Sequence, residues 1–261
     1  MSGVGDRFDK LKNNNSNTLF KHNYEGRTII ENAEQFFFPI YGLIDIKEYL
    51  YRVLIDSKQT NILLSGSSSS SKDMFLTKIN DQCNDVIYYE PAVEKRLDLV
   101  DQIYKNKNVK VIIIDDINKL RKSDWNILPH LLRNGIIEKT TKTNKIEIKL
   151  DNIKIFAALN EDQHRLDTNE LLSKIRALFV DCHISEYTDE EFIAFVKFYC
   201  RDRLPNEKSE IMARELIKYN SKVIKEVISF SKILRETDTR EDIVRKIEGR
   251  MKYGSSNDND V

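Results

Sequence analysis

An α/β protein built on a parallel sheet, with a helical segment behind it, is predicted by three features of this 261-residue sequence. Asn61-Ile62-Leu63-Leu64-Ser65 runs into Gly66-Ser67-Ser68-Ser69-Ser70-Ser71-Lys72-Asp73. Val109-Lys110-Val111-Ile112-Ile113-Ile114 runs into Asp115-Asp116. Short apolar runs of this kind read as strands buried on both faces of a parallel sheet. From Thr188 onward the apolar positions recur with helical spacing, through Phe192, Phe195, Val196, Ile211, Leu216, Val223, Val227, Ile228, Ile233 and Leu234.

In chain order, residues 1 to about 28 are polar and include Asn13-Asn14-Asn15-Ser16-Asn17, a composition that orders poorly alone. A helical pattern covers Ile44 to Ile55, and the first strand follows at Asn61 to Ser65. A helix begins near Lys72, with Met74-Phe75-Leu76 as its apolar face. A short strand is expected at Val86 to Tyr89, a helix near Leu97 to Tyr104, the strand at Val109 to Ile114, and a helix around Trp125 to Leu132. Residues Ile137 to Leu150 alternate apolar and polar about Thr143-Asn144, which reads as a hairpin. Strands at Ile153 to Leu159 and Leu178 to Ile184 bring the number outside the hairpin to five. Five strands separated by helices, then a helical stretch, predict an α/β domain with a small helical lid. The tail from Gly254 to Val261 resembles the N-terminal one in composition.

Composition narrows the function. Charged residues are 32% and hydrophobic ones 40%, as in a soluble globular chain. Lysine plus arginine equals aspartate plus glutamate at 42 each, so no bulk charge points to nucleic acid or an anionic membrane. The sequence has no apolar run of membrane length and no signal-like N-terminus, so a cytoplasmic protein without a membrane partner is expected. Cys83, Cys182 and Cys200 lack metal-binding spacing and read as reduced structural thiols. The four histidines have no partner at a useful spacing.

The serine-rich loop has the layout of a phosphate site. In that layout, backbone N–H groups and a helix N-terminus face an anion while Lys72 reaches the outer phosphates. Five serines in a row also suit a flexible linker. A linker would not be set without a gap between an apolar strand and an amphipathic helix. Two positions depart from the phosphate-loop pattern, which has glycine before the lysine and Ser or Thr after it. Ser71 in a left-handed conformation would cost about 1–2 kcal/mol. Asp73 is the larger departure, because a carboxylate 4 Å from a phosphate charge repels it by about 4 kcal/mol at an effective dielectric near 20. With magnesium between them, Asp73 becomes a metal ligand beside Asp115, the residue at the end of the core strand. A capped strand end with solvated carboxylates is the bland alternative for Asp115-Asp116.

Taken together, residues 36 to 253 resemble an AAA+ ATPase. Ile40-Tyr41-Gly42-Leu43-Ile44-Asp45-Ile46-Lys47 is similar to the segment beside the adenine in that family, which puts Tyr41 and Gly42 at the base. Phe156-Ala157-Ala158-Leu159-Asn160 is similar to the strand ending in the polar sensor that faces the attacking water. Leu171-Leu172-Ser173-Lys174-Ile175-Arg176 resembles the stretch supplying a cationic finger to a neighbouring subunit, and Lys174 and Arg176 are both candidates. Val223-Ile224-Lys225-Glu226-Val227 resembles a second sensor, with Lys225 where arginine is usual. Leu132-Arg133-Asn134-Gly135-Ile136-Ile137-Glu138, the hairpin, and Ser185-Glu186-Tyr187-Thr188-Asp189-Glu190-Glu191-Phe192 point to the RuvB-like branch of archaeal type, with the MoxR-like branch next.

The resemblance implies a five-stranded parallel sheet in a nucleotide-binding domain at 29–185, a lid at 186–253, and tails at 1–28 and 254–261. It also implies ATP, Mg2+ and a homo-oligomeric ring such as a hexamer. Gly66, Ser67, Ser68, Ser69, Ser70, Ser71, Lys72 and Asp73 would cradle the phosphates, and Asp115 and Asp73 would hold the metal. Asp116, one methylene shorter than the family's glutamate, would polarise water with Asn160 and make hydrolysis slow. Surface charge is the alternative reading of Lys174, Arg176 and Lys225. Lys139, Lys142, Lys145 and Lys149 on the hairpin suit DNA phosphates or a solvated edge. Three functions stay open: an oligomeric DNA motor, a MoxR-like protein remodeller, and a hydrolysis-deficient subunit with a structural or regulatory role.

Overall fold

In a computed structural model of the protein the described residues are 19–20, 32–94, 98–140, 145–161 and 173–253. Helices α1 (Ala33–Phe36) and α2 (Ile44–Ile55) precede strand β1 (Thr60–Gly66), and helix α3 (Lys72–Gln82) follows its loop. Strand β2 (Val86–Tyr89), helix α4 (Leu99–Lys105) and strand β3 (Val111–Ile114) come next. A 3-10 turn at Ile117–Lys119 leads to helix α5 (Lys122–Asn134) and the antiparallel pair β4 (Ile136–Thr140) and β5 (Lys145–Lys149). After β6 (Lys154–Asn160) and β7 (Val180–His183), four helices follow: α6 (Asp189–Cys200), α7 (Asn206–Lys218), α8 (Ile224–Ile233) and α9 (Arg240–Tyr253).

The five-stranded sheet runs β2-β3-β6-β1-β7, and every neighbouring pair is parallel. Its strands are apolar on both faces because both faces are covered. On one face Leu63, Ile112, Ile114, Ile155 and Ala157 pack with residues of α4, α5 and the hairpin. On the other, Ile62, Leu64, Val111, Ile113, Phe156 and Ala158 pack with α2 and α3. Burying Phe75, Leu76 and Ile79 contributes about 1.5–3 kcal/mol each and fixes α3 against the sheet. The chain leaves β1, crosses to the far edge at β2 and works back, so β1 lies at the switch point where open α/β sheets place a ligand.

Several boundaries differ from the sequence expectation. Helix α5 starts three residues before Trp125, because its polar first turn contains the buried Asp124, which accepts from Tyr89 Oη at 2.8 Å and Leu99 N at 3.1 Å. Trp125 is a packing residue whose indole N–H donates to Leu120 O at 3.1 Å. The hairpin turn at Thr143-Asn144 lies outside the described residues, as do Lys142, Leu97 and most of 1–28. Within 1–28, Leu19 and Phe20 are described. Phe20 is buried against Phe36 and Tyr51 and bridges to Cys83.

The C-terminal helices have a third core of their own, with Phe192, Phe195, Val196, Met212, Leu216, Val227, Phe230 and Ile243. A capping box starts it: Thr188 Oγ1 accepts from Glu191 N at 3.2 Å and Glu191 Oε2 from Thr188 N at 2.9 Å. Leu43 and Met74 pack against both this core and the sheet's. Cys83, Cys182 and Cys200 are free thiols, and burial pushes Cys182 and Cys200 up to about 11. Among the described residues, no helix is long and apolar enough to cross a membrane.

Candidate functional site

The serine loop leaves the C-terminal end of β1 and closes on itself. Gly66 has φ +147°, and a Cβ there would lie 2.3 Å from the carbonyl oxygen of Ile184. The chain after β7 runs directly alongside, with Ile184 N donating to Ser65 O at 2.8 Å, so only glycine fits. Ser70 N donates to Ser67 O at 3.1 Å, and Ser70 and Ser71 are 7% and 2% exposed. Ser67 Oγ lies 2.9 Å from Ser69 Oγ. A solvated linker is therefore not what these serines form. Ser71 has φ −77° and ψ 11°, so serine in place of glycine carries no left-handed strain.

Lys72 opens α3 and is 1% exposed. Its ammonium donates to Gly66 O at 2.9 Å, to Ser70 Oγ at 3.0 Å and to Ser67 O. The lysine thus spans the loop from inside, its charge wrapped in loop oxygens at a helix N-terminus.

Sheet register brings the two polar strand ends to the loop. Asn160 pairs in register with Gly66, and Glu161 N donates to Gly66 O at 3.1 Å. Asn160 Nδ2 donates to Asp116 Oδ1, joining two residues 44 positions apart. Asp116 has φ +57°, a left-handed conformation that aspartate tolerates and that gathers at functional sites. Its second oxygen accepts from Lys119 Nζ at 2.7 Å. Asp115 Oδ2 accepts from Tyr88 Oη at 2.7 Å. Burial holds Asp115 above the ordinary carboxylate range against the downward pull of the Tyr88 bond, while Asp73, Asp116 and Glu90 add to the rise. Burial, with Asp115 next, raises the Tyr88 phenol well above its usual value.

The helical unit meets the loop along one side. Ser69 Oγ donates to Glu186 Oε1 at 2.5 Å, and Ser71 Oγ to Tyr187 Oη at 3.2 Å. Tyr187 Oη in turn donates to Tyr41 O at 2.9 Å. Tyr41 and Gly42 therefore sit between the sheet domain and the helices, with the Tyr41 ring 5.6 Å from that of Phe198. Gly42 and Leu43 take left-handed φ values of 59° and 52°, turning the chain into α2. Lys225, on the first turn of α8, places Nζ 3.0 Å from Asp73 Oδ2. The Asp73 hydrogen bond and charge hold Lys225 above the ordinary lysine range, and Asp115 and Asp116 add to this.

Lys72, Asp73, Asp115, Asp116, Asn160 and Lys225 are thus brought together, while Arg176 is placed elsewhere. Its guanidinium donates through Nε to Asp181 Oδ2 at 2.9 Å and through Nη2 to the same oxygen, and Asp181 Oδ1 accepts from Ser65 Oγ at 2.7 Å. Lys174 is exposed on the same helical stretch. Leu171 and Leu172 lie outside the described residues. Sequence reading missed Tyr88, Lys119, Glu186, Tyr187 and Asp181. Only Lys119 had a legible signal, its i+3 spacing from Asp116. Among the described residues, no cluster of three or more His, Cys, Asp or Glu is arranged to hold a metal. Asp115 and Asp73 are hard oxygen donors suited to magnesium, which takes one or two carboxylates and completes its shell with water and phosphate.

Comparison with solved structures identifies the fold. A mutant of Thermotoga maritima RuvB superimposes with a TM-score of 0.59 at 15% identity, covering 82% of this chain and 72% of that one. A second mutant gives 0.57 at 14% identity, covering 80% and 70%. The Thermotoga maritima RuvB described as a Holliday junction branch migration motor gives 0.54 at 14% identity, covering 80% and 69%. At such identities the likeness is one of fold, and the five-stranded parallel sheet with C-terminal helices expected from the sequence is the one observed. No family model and no curated protein matches the sequence.

Proposed function

We propose that this protein binds ATP with magnesium through the serine loop and hydrolyses it slowly, with 29–185 as the nucleotide-binding unit and 186–253 as a lid. Lys72 carries this reading. Its buried ammonium donates to loop oxygens at the start of α3, and a phosphate in that cradle would supply a full opposite charge to the same donor. Tyr41 and Gly42 would flank the base, and Gly66 and Ser67 to Ser71 would wrap the phosphates. Asp115 and Asp73 would hold magnesium, which when bound offsets charge on the phosphates. Asp116, oriented by Asn160, would take the water's proton. Its short side chain and the Lys119 ion pair support slow turnover. Lys174 and Arg176, the latter paired with Asp181 within the chain, would be the candidates for reaching a neighbouring subunit's nucleotide in a ring. The fold shared with a branch migration motor supports DNA as the target of that ring, and a cytoplasmic location goes with it.

The test is calorimetric titration of ATP and magnesium into wild type and Lys72→Ala, with circular dichroism as the control for folding. Binding lost in a folded variant is the expected result; equal affinity overturns the assignment. Turnover measured with DNA, and light scattering with ATP, then address the motor and the ring. A second reading, a nucleotide-binding subunit without hydrolysis, is favoured by one observation. Asp116 is held on both oxygens, by Lys119 and Asn160. ATP binding with no turnover would select it, and stimulation by a protein instead of DNA would select a MoxR-like remodeller.

A further inference from the structure

Asp73 and Lys225 are separate departures from the expected pattern, one at the phosphate loop and one in the lid. The fold makes them a pair, with Lys225 Nζ 3.0 Å from Asp73 Oδ2. A carboxylate beside a phosphate site carries the wrong charge for its neighbour, and a cation from another element offsets it. Lys225 also lies in the field of Asp115 and Asp116, so it faces the whole acidic side of the site. The pair joins the first turn of α3, next to Lys72, to the first turn of α8. Its side chains are 38% and 79% exposed, so water and salt screen it and it opens easily. The lid has other attachments to the sheet domain: Leu43 and Met74 pack against two cores, and Tyr187 Oη donates to Tyr41 O at 2.9 Å.

We propose that Asp73 and Lys225 form a latch holding the lid on the phosphate loop before nucleotide arrives, and that magnesium-nucleotide opens it by taking Asp73. The latch itself stands on the geometry; its opening rests on the nucleotide reading above. Arrival of the metal would free Lys225 from Asp73, so nucleotide would loosen the lid at the phosphate loop.

Hydrogen exchange on the full chain tests both parts. Without nucleotide, Asp73→Asn and Lys225→Met should each speed exchange in the first turn of α8 by about twofold to fivefold, as expected for an exposed ion pair. The double variant should be no faster than either single, and the swap Asp73→Lys with Lys225→Asp should restore protection. Lys225 is exposed and Asp73 half-buried, and circular dichroism checks folding. Strictly additive effects, or a swap that restores nothing, would overturn the latch. Adding ATP and magnesium should then erase the coupling between the two substitutions. If calorimetry shows ATP bound while the coupling is unchanged, opening by nucleotide is overturned. If no ATP binds and the nucleotide-free cycle holds, the latch stands and the nucleotide reading falls.

Discussion

On its sheet side the candidate site is made of buried and half-buried groups whose places are set by backbone. Lys72 is 1% exposed, and Asn160 meets Gly66 because β6 and β1 are in register. On its lid side the same site is closed by one buried contact, Tyr187 against Ser71, and otherwise by groups that stay wet. Lys225 keeps 79% of its side chain exposed while touching Asp73, and Glu186 reaches Ser69 from the exposed strand-to-helix segment. The two sides therefore answer differently to substitution and to salt. Loss of a buried contact on the sheet side costs several kcal/mol and does not depend on ionic strength. An exposed ion pair on the lid side contributes about 0–1 kcal/mol and fades with salt. A rigid cradle with a loosely held cover is the arrangement that results.

The strongest challenge to this contrast is Gly66→Ala. The added methyl would meet the Ile184 carbonyl, at a φ that alanine avoids. A loss of about 3 kcal/mol is expected, or roughly 6–12 °C in Tm. A melt within a degree of wild type would show that the loop is as yielding as the lid. Next in size, Lys119→Met should release Asp116 and raise ATP turnover about tenfold, a fraction of what a well-placed base supplies. Unchanged turnover would remove Asp116 from the chemistry.

Tyr88→Phe should act through pH. The Tyr88 hydroxyl lowers the proton affinity of Asp115, whose folded value burial has already raised. Without that donor the value rises further, so Asp115 stays protonated to higher pH. The acid limb of magnesium-dependent ATP binding should move to higher pH, with little change on the alkaline side. A limb that stays in place would mean that Asp115 does not hold the metal. Smallest of all, Arg176→Ala should cost no more than about 1 kcal/mol of stability and leave turnover intact, because its partner is Asp181 in the same chain. A collapse of turnover would make Arg176 the trans cation.

Much of this was legible in the sequence because strands buried on both faces announce themselves. Helix α2 has the bounds its periodicity predicted, and β2 begins and ends where its apolar run does. Lys72, Asp115, Asp116 and Asn160 were legible because each ends or follows such a run. What stayed hidden depends on long-range placement. Nothing in local spacing pairs Asp73 with Lys225, 152 positions away, or Ser69 with Glu186, 117 away. The pairing of Arg176 with Asp181 on β7 was hidden too, because five positions of sequence do not reveal that the chain turns back between them. Polar helix starts such as Lys122-Ser123-Asp124 were also hidden, since periodicity sees only apolar residues.

Met74 packs against two cores at once, and it comes two residues after Lys72 on the same helix. A side chain gripped on both sides works as a gear tooth. When the C-terminal helices turn, Met74 must either slide past them or carry the start of α3 along, and close packing leaves little slack for sliding. Torque on the lid is therefore delivered within one helical turn of the lysine that would hold the phosphates.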